Sequence, residues 1–361
     1  MKKTCLIFCG GRSEEHEISL ISAKCVLDAL DRTRFTPVVV GISREGVWHL
    51  EEEHNFYTGA LRADQIKLNT QAPTPSLWPC LTRDKRGKLE CMGRTIEFDV
   101  VFPILHGPHG EDGTIQGLCE VLGVPYVGSD PGGSWICMDK ALAKQLCVAQ
   151  GIRVADFEVL NNRKELDAKA GQIGRLGFPL FVKPARLGSS VGITKVKQQK
   201  DLNAAVDTAF RFDTKVVIEK GIDGREIECA VLGLNQSARA SLPGEIIPSP
   251  QAEWYTYEAK YLSDNGAQIV VPANLDNLTS TRIQEFAVRV FRALECDGMA
   301  RVDLFLERKT GEIFLNEANT IPGFTPISMY PKMWQASGLS YPDLISELID
   351  LAFRRFHKIA H

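Results

Sequence analysis

No stretch of the 361 residues offers the about 18 consecutive apolar side chains that a membrane-spanning helix needs, and no internal repeat or low-complexity tract interrupts the chain. The first apolar run, Cys5 to Cys9, is short and is followed at once by Arg12, Glu14 and Glu15, so no secretory signal is expected. Charge of one sign is not in excess: 42 Lys and Arg against 45 Asp and Glu leave −3, which supplies no electrostatic reason for nucleic acid or a membrane as partner. The ten cysteines form no C-x-x-C pair and no zinc-like spacing with histidine. Cys119, Cys137, Cys229 and Cys296 lie inside apolar stretches, so they read as reduced core residues of a cytoplasmic protein. What remains is a composition of 44% apolar and 24% charged residues, ordinary for a soluble enzyme, in a chain long enough for two or three domains.

The pattern opens as βαβ: a strand at Thr4–Phe8, a helix at about 14–30 and a strand at about 36–42, with Gly10-Gly11 at the first strand end. That predicts a parallel sheet covered by helices. A polar stretch from about 51 to 88 reads as loops with short helices. A strand at 100–105, a helix at 115–122 and a short strand at 125–127 follow. A helix at 138–150, strands at 180–183, 191–196 and 216–219 and a helix at 202–210 form a second, α+β unit. The remainder carries strands, a long loop at 248–273, a helix at 281–294, a hairpin and a final helix signalled by Ser340, Pro342 and Asp343.

The hairpin is the most informative segment. Arg301–Glu307 and Glu312–Asn319 flank Thr310-Gly311, and a register centred on Thr310 sets Arg301 opposite Asn319 and Asp303 opposite Glu317, all four on one face. The other face holds Val302, Leu304, Leu306, Phe314 and Ala318, a core pattern. Directly opposed carboxylates roughly 5 Å apart repel by about 3 kcal/mol at an effective dielectric of about 20. Protonation, Arg301 or a hard divalent cation with Asn319 as a neutral oxygen ligand could offset this. The rigid Asn319-Thr320-Ile321-Pro322-Gly323 bend after the strand favours the cation. A mixed carboxylate and amide oxygen set suits Mg²⁺, whose other ligands are commonly water and substrate phosphates.

Three loops add candidates. Gly10–Glu17 joins a strand to a helix at the carboxyl edge of the sheet, where ligands bind. Ser13 and the glutamates there can simply stabilise the helix, or Glu15 can face the crevice and hold an ammonium group. His106–Gly113 occupies the equivalent place after another strand, with three glycines that let a ligand approach the main chain. Lys183 ends a strand and is followed by Gly188-Ser189-Ser190, donors able to cradle phosphate oxygens, although the P-loop spacing is absent. Lys140 reads equally as a second phosphate lysine or a solvated one. The aromatic run Glu253–Tyr261 lies in a loop long enough to be a lid, or to be anchored on the core.

Four runs occur together and in order: H-G-x-x-G-E-D-G at His106–Gly113, V-K-P-x-x-x-G-S-S-V-G at Val182–Gly192, E-A-K-Y at Glu258–Tyr261, and G-x-x-R-x-D with N-E-A-N-T-x-P-G within Gly298–Gly323. Together they resemble the D-alanine:D-alanine ligases, members of the ATP-grasp enzymes, over nearly the whole chain. The resemblance implies an α/β and α+β architecture: an N-terminal parallel-sheet domain, 1–130, followed by two α+β domains, 131–219 and 220–361, that clasp ATP. It implies that Lys140, Lys183 and Lys260 contact ATP phosphates, that Ser189 and Ser190 close over them, and that Glu219, Lys220, Ile222 and Glu226 hold adenine and ribose. Asp303, Glu317 and Asn319 would bind two Mg²⁺ ions, with Mn²⁺ a possible substitute. Glu15 would hold the ammonium of the first D-alanine, linked to Ser189 and Tyr261. Arg301 and the Gly323 N–H would stabilise a tetrahedral intermediate, Ser328 would bind the second carboxylate, and His106 would lie near the substrates. A homodimer is also implied, and Tyr261 points to an amino acid rather than a hydroxy acid as second substrate.

Overall fold

A computed structural model describes residues 2–56, 68, 77–80, 87–91, 93–249 and 267–359. The expected opening is present as β1 (Lys3–Gly10), α1 (His16–Ala29) and β2 (Phe35–Ile42), followed by β3 (Trp48–Glu51). β4 (Trp78–Cys80), β5 (Gly87–Cys91) and β6 (Arg94–Phe98) make a small antiparallel sheet, and β7 (Val100–Pro103) returns to the first one. That first sheet has the order β3-β2-β1-β7, with β1 parallel to both β2 and β7. Its inner strand β1 and its strand β7 are nearly continuous apolar runs because both faces are covered. Cys5, Ile7 and Cys9 face one core cluster, and Leu6 and Phe8 the other.

After β7, α2 (Thr114–Leu122) and α3 (Pro131–Met138) precede α4 (Lys140–Ala149). The helix expected at 138–150 is present as α4, and α3 before it is an additional helix that the pattern did not announce. Asp139 separates the two. Its carboxylate accepts from the backbone N–H of Ala141 and Leu142 and caps α4 afresh, at 3.1 Å each. β8 (Phe157–Leu160), β9 (Leu180–Pro184), β10 (Thr194–Val196) and β11 (Val216–Lys220) form an antiparallel sheet ordered β10-β9-β11-β8. β10 is shorter than the strand expected from 191, because Ser189, Ser190 and Gly192 take positive φ.

The largest sheet contains β12 (Gly224–Gly233), β13 (Arg239–Ala240), β14 (Gly244–Pro248), β15 (Ala267–Val270), β16 (Gly298–Glu307) and β17 (Ile313–Asn319), along the path β15-β14-β12-β16-β17. The helix Asn277–Ala293 covers one face. The last helix, Tyr341–Ile359, starts where Ser340 and Asp343 share a hydrogen bond.

The β16–β17 register is the one the sequence predicts at its functional end, Arg301 opposite Asn319 and Asp303 opposite Glu317. Beyond Asp303 a bulge shifts it, so that Leu304 pairs with Leu315 and Asn316 is the extra residue. The bulge inverts the rest of β17: Ile313 and Leu315, not Phe314, enter the core with Val302, Leu304, Leu306 and Ala318.

Candidate active site

Two connected cavities lie where the sheets meet. The larger, of about 360 Å³, is lined by Lys140, Lys183, Ser190, Glu219, Lys220, Ile222, Glu226, Asp303 and Glu317, among others. The smaller, of about 50 Å³, brings together Glu15, His106, Ser189, Arg301, Asn319 and Gly323. Lys140, Gly188 and Glu317 line both, so they stand at the junction.

The small cavity begins at the end of β1. Gly10 has φ +84°, and a Cβ there would stand 2.3 Å from the Ile42 carbonyl, so only glycine lets the chain leave the sheet at this point. The Ser13 hydroxyl donates to the His106 carbonyl at 2.7 Å, tying the two strand-end loops together. Glu15 caps α1 by its backbone, which leaves its carboxylate to accept a hydrogen bond from the Ser189 hydroxyl, 174 residues away. His106 is buried, with Nδ1 3.0 Å from the Ile321 carbonyl and Nε2 3.3 Å from Ser22 Oγ. Burial disfavours its charged form, yet Glu111, 3.6 Å from Nδ1, and the charge of Glu15 raise its pKa on balance. Burial also raises the Glu111 pKa, with Glu15 adding to it. Gly323 lies against Ser328: a Cβ would meet its Oγ at 2.6 Å. That oxygen accepts from the Thr325 N–H at 3.0 Å.

The larger cavity is built on buried cations already paired with carboxylates. Lys140, first in α4, donates to the Leu187 carbonyl at 2.7 Å and lies 3.1 Å from Glu317. Lys183 pairs with Glu219 and lies 3.3 Å from Asn316 Oδ1. Glu219 has a second cation, Lys144, at 2.7 Å. Burial, with help from the Lys144 ammonium, lowers Lys183 to about 7, and burial lowers Lys144 to about 8. Lys144 belongs to none of the sequence motifs; its signal is its place one turn after Lys140 on the same helix.

On the hairpin, Arg301 donates to both oxygens of Asp303, from Nε at 2.7 Å and from Nη2 at 2.6 Å. The repulsion between Asp303 and Glu317 is therefore offset by Arg301 on one and Lys140 on the other. Asn319 Oδ1 accepts from the Ile321 N–H at 3.0 Å. Asp303, Glu317 and Asn319 are hard oxygen donors of the kind Mg²⁺ takes. Among the described residues no group of three or more His, Cys, Asp or Glu is gathered for a metal, so a cation here must draw further ligands from water or a bound phosphate. Lys260 and Tyr261 lie outside the described residues.

The D-ala D-ala ligase N-terminus family matches residues 4–129 and the D-ala D-ala ligase C-terminus family matches residues 146–350. This chain belongs to the D-alanine–D-alanine ligase family. D-alanine–D-alanine ligase A of Chromobacterium violaceum is 47% identical over 354 residues, covering 97% of this chain and 94% of that one. The ligase A of Salmonella typhimurium is 47% identical over 347 residues, covering 96% and 94%. Among solved structures, the D-alanine-D-alanine ligase of Coxiella burnetii has a TM-score of 0.87 at 38% identity, covering 99% and 96%. The VanG D-Ala:D-Ser ligase of Enterococcus faecalis has a TM-score of 0.86 at 36% identity, covering 98% and 100%. The fold is accordingly the ATP-grasp fold of these ligases.

Proposed function

We propose that this enzyme joins two D-alanine molecules into D-alanyl-D-alanine at the expense of ATP, through an acyl phosphate, for peptidoglycan precursor synthesis. The observation that carries the reading is the junction at Lys140 and Glu317, which line both cavities, so that a nucleotide phosphate held in the larger would meet a substrate carboxylate held in the smaller. Glu15, fixed by Ser189, holds the ammonium of the first D-alanine. One oxygen of that substrate's carboxylate attacks the γ-phosphorus and ADP leaves. Lys140 and Lys183, joined by Lys260, hold the phosphate oxygens, while Ser190 helps to close the loop over them. Glu219, Lys220, Ile222 and Glu226 hold adenine and ribose.

The second D-alanine, its carboxylate at Ser328, attacks the acyl carbon as a free amine. Arg301 and the Gly323 N–H donate to the oxyanion that appears only then, and phosphate departs. His106 borders the substrates and Tyr261 closes over Glu15 and Ser189. Asp303, Glu317 and Asn319 would hold two Mg²⁺ ions, for which Mn²⁺ could substitute. Bound metal would supply neutralisation of phosphoryl charge. The three-domain division at 130 and 219, the cytoplasmic location and a homodimer belong to the same proposal. The location is supported by the family's cell-wall role, together with the finding that no helix among the described residues is long and apolar enough to cross a membrane; the homodimer rests on the family resemblance alone.

The likeness to a D-Ala:D-Ser ligase favours a second reading in which the second substrate is D-serine. Incubation with ATP, Mg²⁺ and equal D-alanine, D-serine and D-lactate, followed by mass spectrometry, separates them. D-alanyl-D-alanine should dominate and L-alanine should release no ADP. A dominant D-alanyl-D-serine product would establish the second reading.

A further inference from the structure

Arg301 lies between two carboxylates. β12 runs antiparallel to β16 with Glu228 opposite Asp303 and Ala230 opposite Arg301. Together with Glu317 opposite Asp303, this sets three acids in one row across three strands. Glu228 is buried, 6% exposed, with Oε2 3.0 Å from Arg301 Nε. The single hydrogen on that nitrogen is directed to Asp303, so the Glu228 contact is one of charge. If Asp303 is a metal ligand, the cation competes with Arg301 for its oxygens and repels the guanidinium, so the two guanidinium bonds weaken while the metal is bound. Arg301, whose side chain is 16% exposed, would then lose part of its hold on that anion inside the protein.

We infer that Glu228 is a positioning residue for the ligase reaction: it holds Arg301 over the small cavity when the metal takes Asp303, so that the guanidinium meets the tetrahedral oxyanion instead of following the aspartate. The inference rests on the proposed roles of Asp303 and Arg301. Glu228 thereby also assists metal entry, since removing its charge shifts Arg301 toward Asp303 and makes the two harder to part. Glu228 lies outside the residues that the sequence patterns single out, because it sits in a separate strand 75 residues before Asp303 in the chain.

The test compares wild type, Glu228→Gln, Glu228→Asp and Asp303→Asn by steady-state kinetics and by calorimetry of ADP binding across a Mg²⁺ series, where no turnover occurs. Loss of a residue that orients a ligand typically costs about 10- to 100-fold. Glu228→Gln should lose that much in kcat with KM for ATP little changed, and should need severalfold more Mg²⁺ for half-maximal ADP binding. Glu228→Asp should recover most of both. Wild-type kcat and Mg²⁺ dependence in Glu228→Gln would overturn the inference, as would a fall in nucleotide affinity equal to the fall in kcat. Should Glu228→Gln not fold, Glu228→Asp decides: a smaller kcat loss at unchanged KM supports the inference, and wild-type behaviour overturns it. Asp303→Asn separates the two levels. If its ADP binding keeps the wild-type Mg²⁺ dependence, the assignment of Asp303 as a metal ligand has failed; if it loses that dependence while Glu228→Gln is normal, only the role of Glu228 has.

Discussion

Glu15 and His106 reach the crevice from loops at the ends of the parallel strands β1 and β7, whereas Arg301, Asp303 and Glu317 stand within the antiparallel pair β16–β17. The loop residues are held by long-range hydrogen bonds, Ser13 to His106 and Ser189 to Glu15, and by a glycine that no other residue can replace. The strand residues are held by register, which fixes side-chain direction every second residue. On the proposed roles, the groups that recognise a substrate are positioned by loop contacts, and the groups that face concentrated negative charge are positioned by strand pairing. The strand-borne set should accordingly be less tolerant of change than the loop-borne set.

The largest effect is expected at the hairpin. Glu317→Gln should reduce turnover beyond the about 10³-fold associated with loss of a single electrostatic donor, because it weakens the cation site and releases Lys140 together. Turnover within tenfold of wild type would remove Glu317 from the metal site. Asp303→Asn should be equally inactive and should also melt lower. Repulsion from Glu317 taken alone would make that change stabilising, but Arg301 already offsets it and would be left in a buried site with Glu228 as its one remaining carboxylate among these pairs, a net loss. A raised melting temperature would show that repulsion wins.

Next comes Arg301→Met, expected to cost about 10²- to 10³-fold in kcat while KM for ATP stays close to wild type. An equal loss of ATP affinity would make Arg301 a nucleotide ligand. Lys183 gives an intermediate effect with a definite sign. Its pKa, about 7 in the free enzyme, must rise when phosphate binds, so ATP binding at pH 8 should take up close to one proton and weaken as the pH climbs from about 7. Calorimetry in buffers of different ionisation enthalpy reads this directly. Proton uptake unchanged in Lys183→Met would assign it to another group.

The smallest effect belongs to the loop set. Ser189→Ala removes one hydrogen bond from Glu15, typically about 0.5 to 1.5 kcal/mol or roughly two- to tenfold in kcat/KM for D-alanine. A loss as large as that of Glu317→Gln would abolish the distinction between the two regions.

The same distinction explains what could be read from the residues. Pairing Arg301 with Asn319 and Asp303 with Glu317 needs only strand period and a turn, and both are local. The bulge at Asn316 has no glycine or proline to announce it, so Phe314 was assigned to the wrong face. The helix Pro131–Met138 did carry an N-cap residue, Asp130, and a proline in its first turn, but its two glycines hid it. Contacts between distant segments, Ser189 with Glu15, Lys144 with Glu219 and Glu228 with Arg301, leave no local pattern. The first of these was anticipated through family resemblance, and the other two only the folded chain reveals.

The central claim is that a substrate carboxylate crosses the Lys140–Glu317 junction to be phosphorylated before an amine displaces the phosphate. D-alanine labelled with oxygen-18 in its carboxylate, supplied with unlabelled ATP and Mg²⁺, tests this in one mass spectrum of the released inorganic phosphate. One labelled oxygen per phosphate, in step with D-alanyl-D-alanine, is the result predicted. Unlabelled phosphate released at the same rate as the dipeptide would contradict the claim.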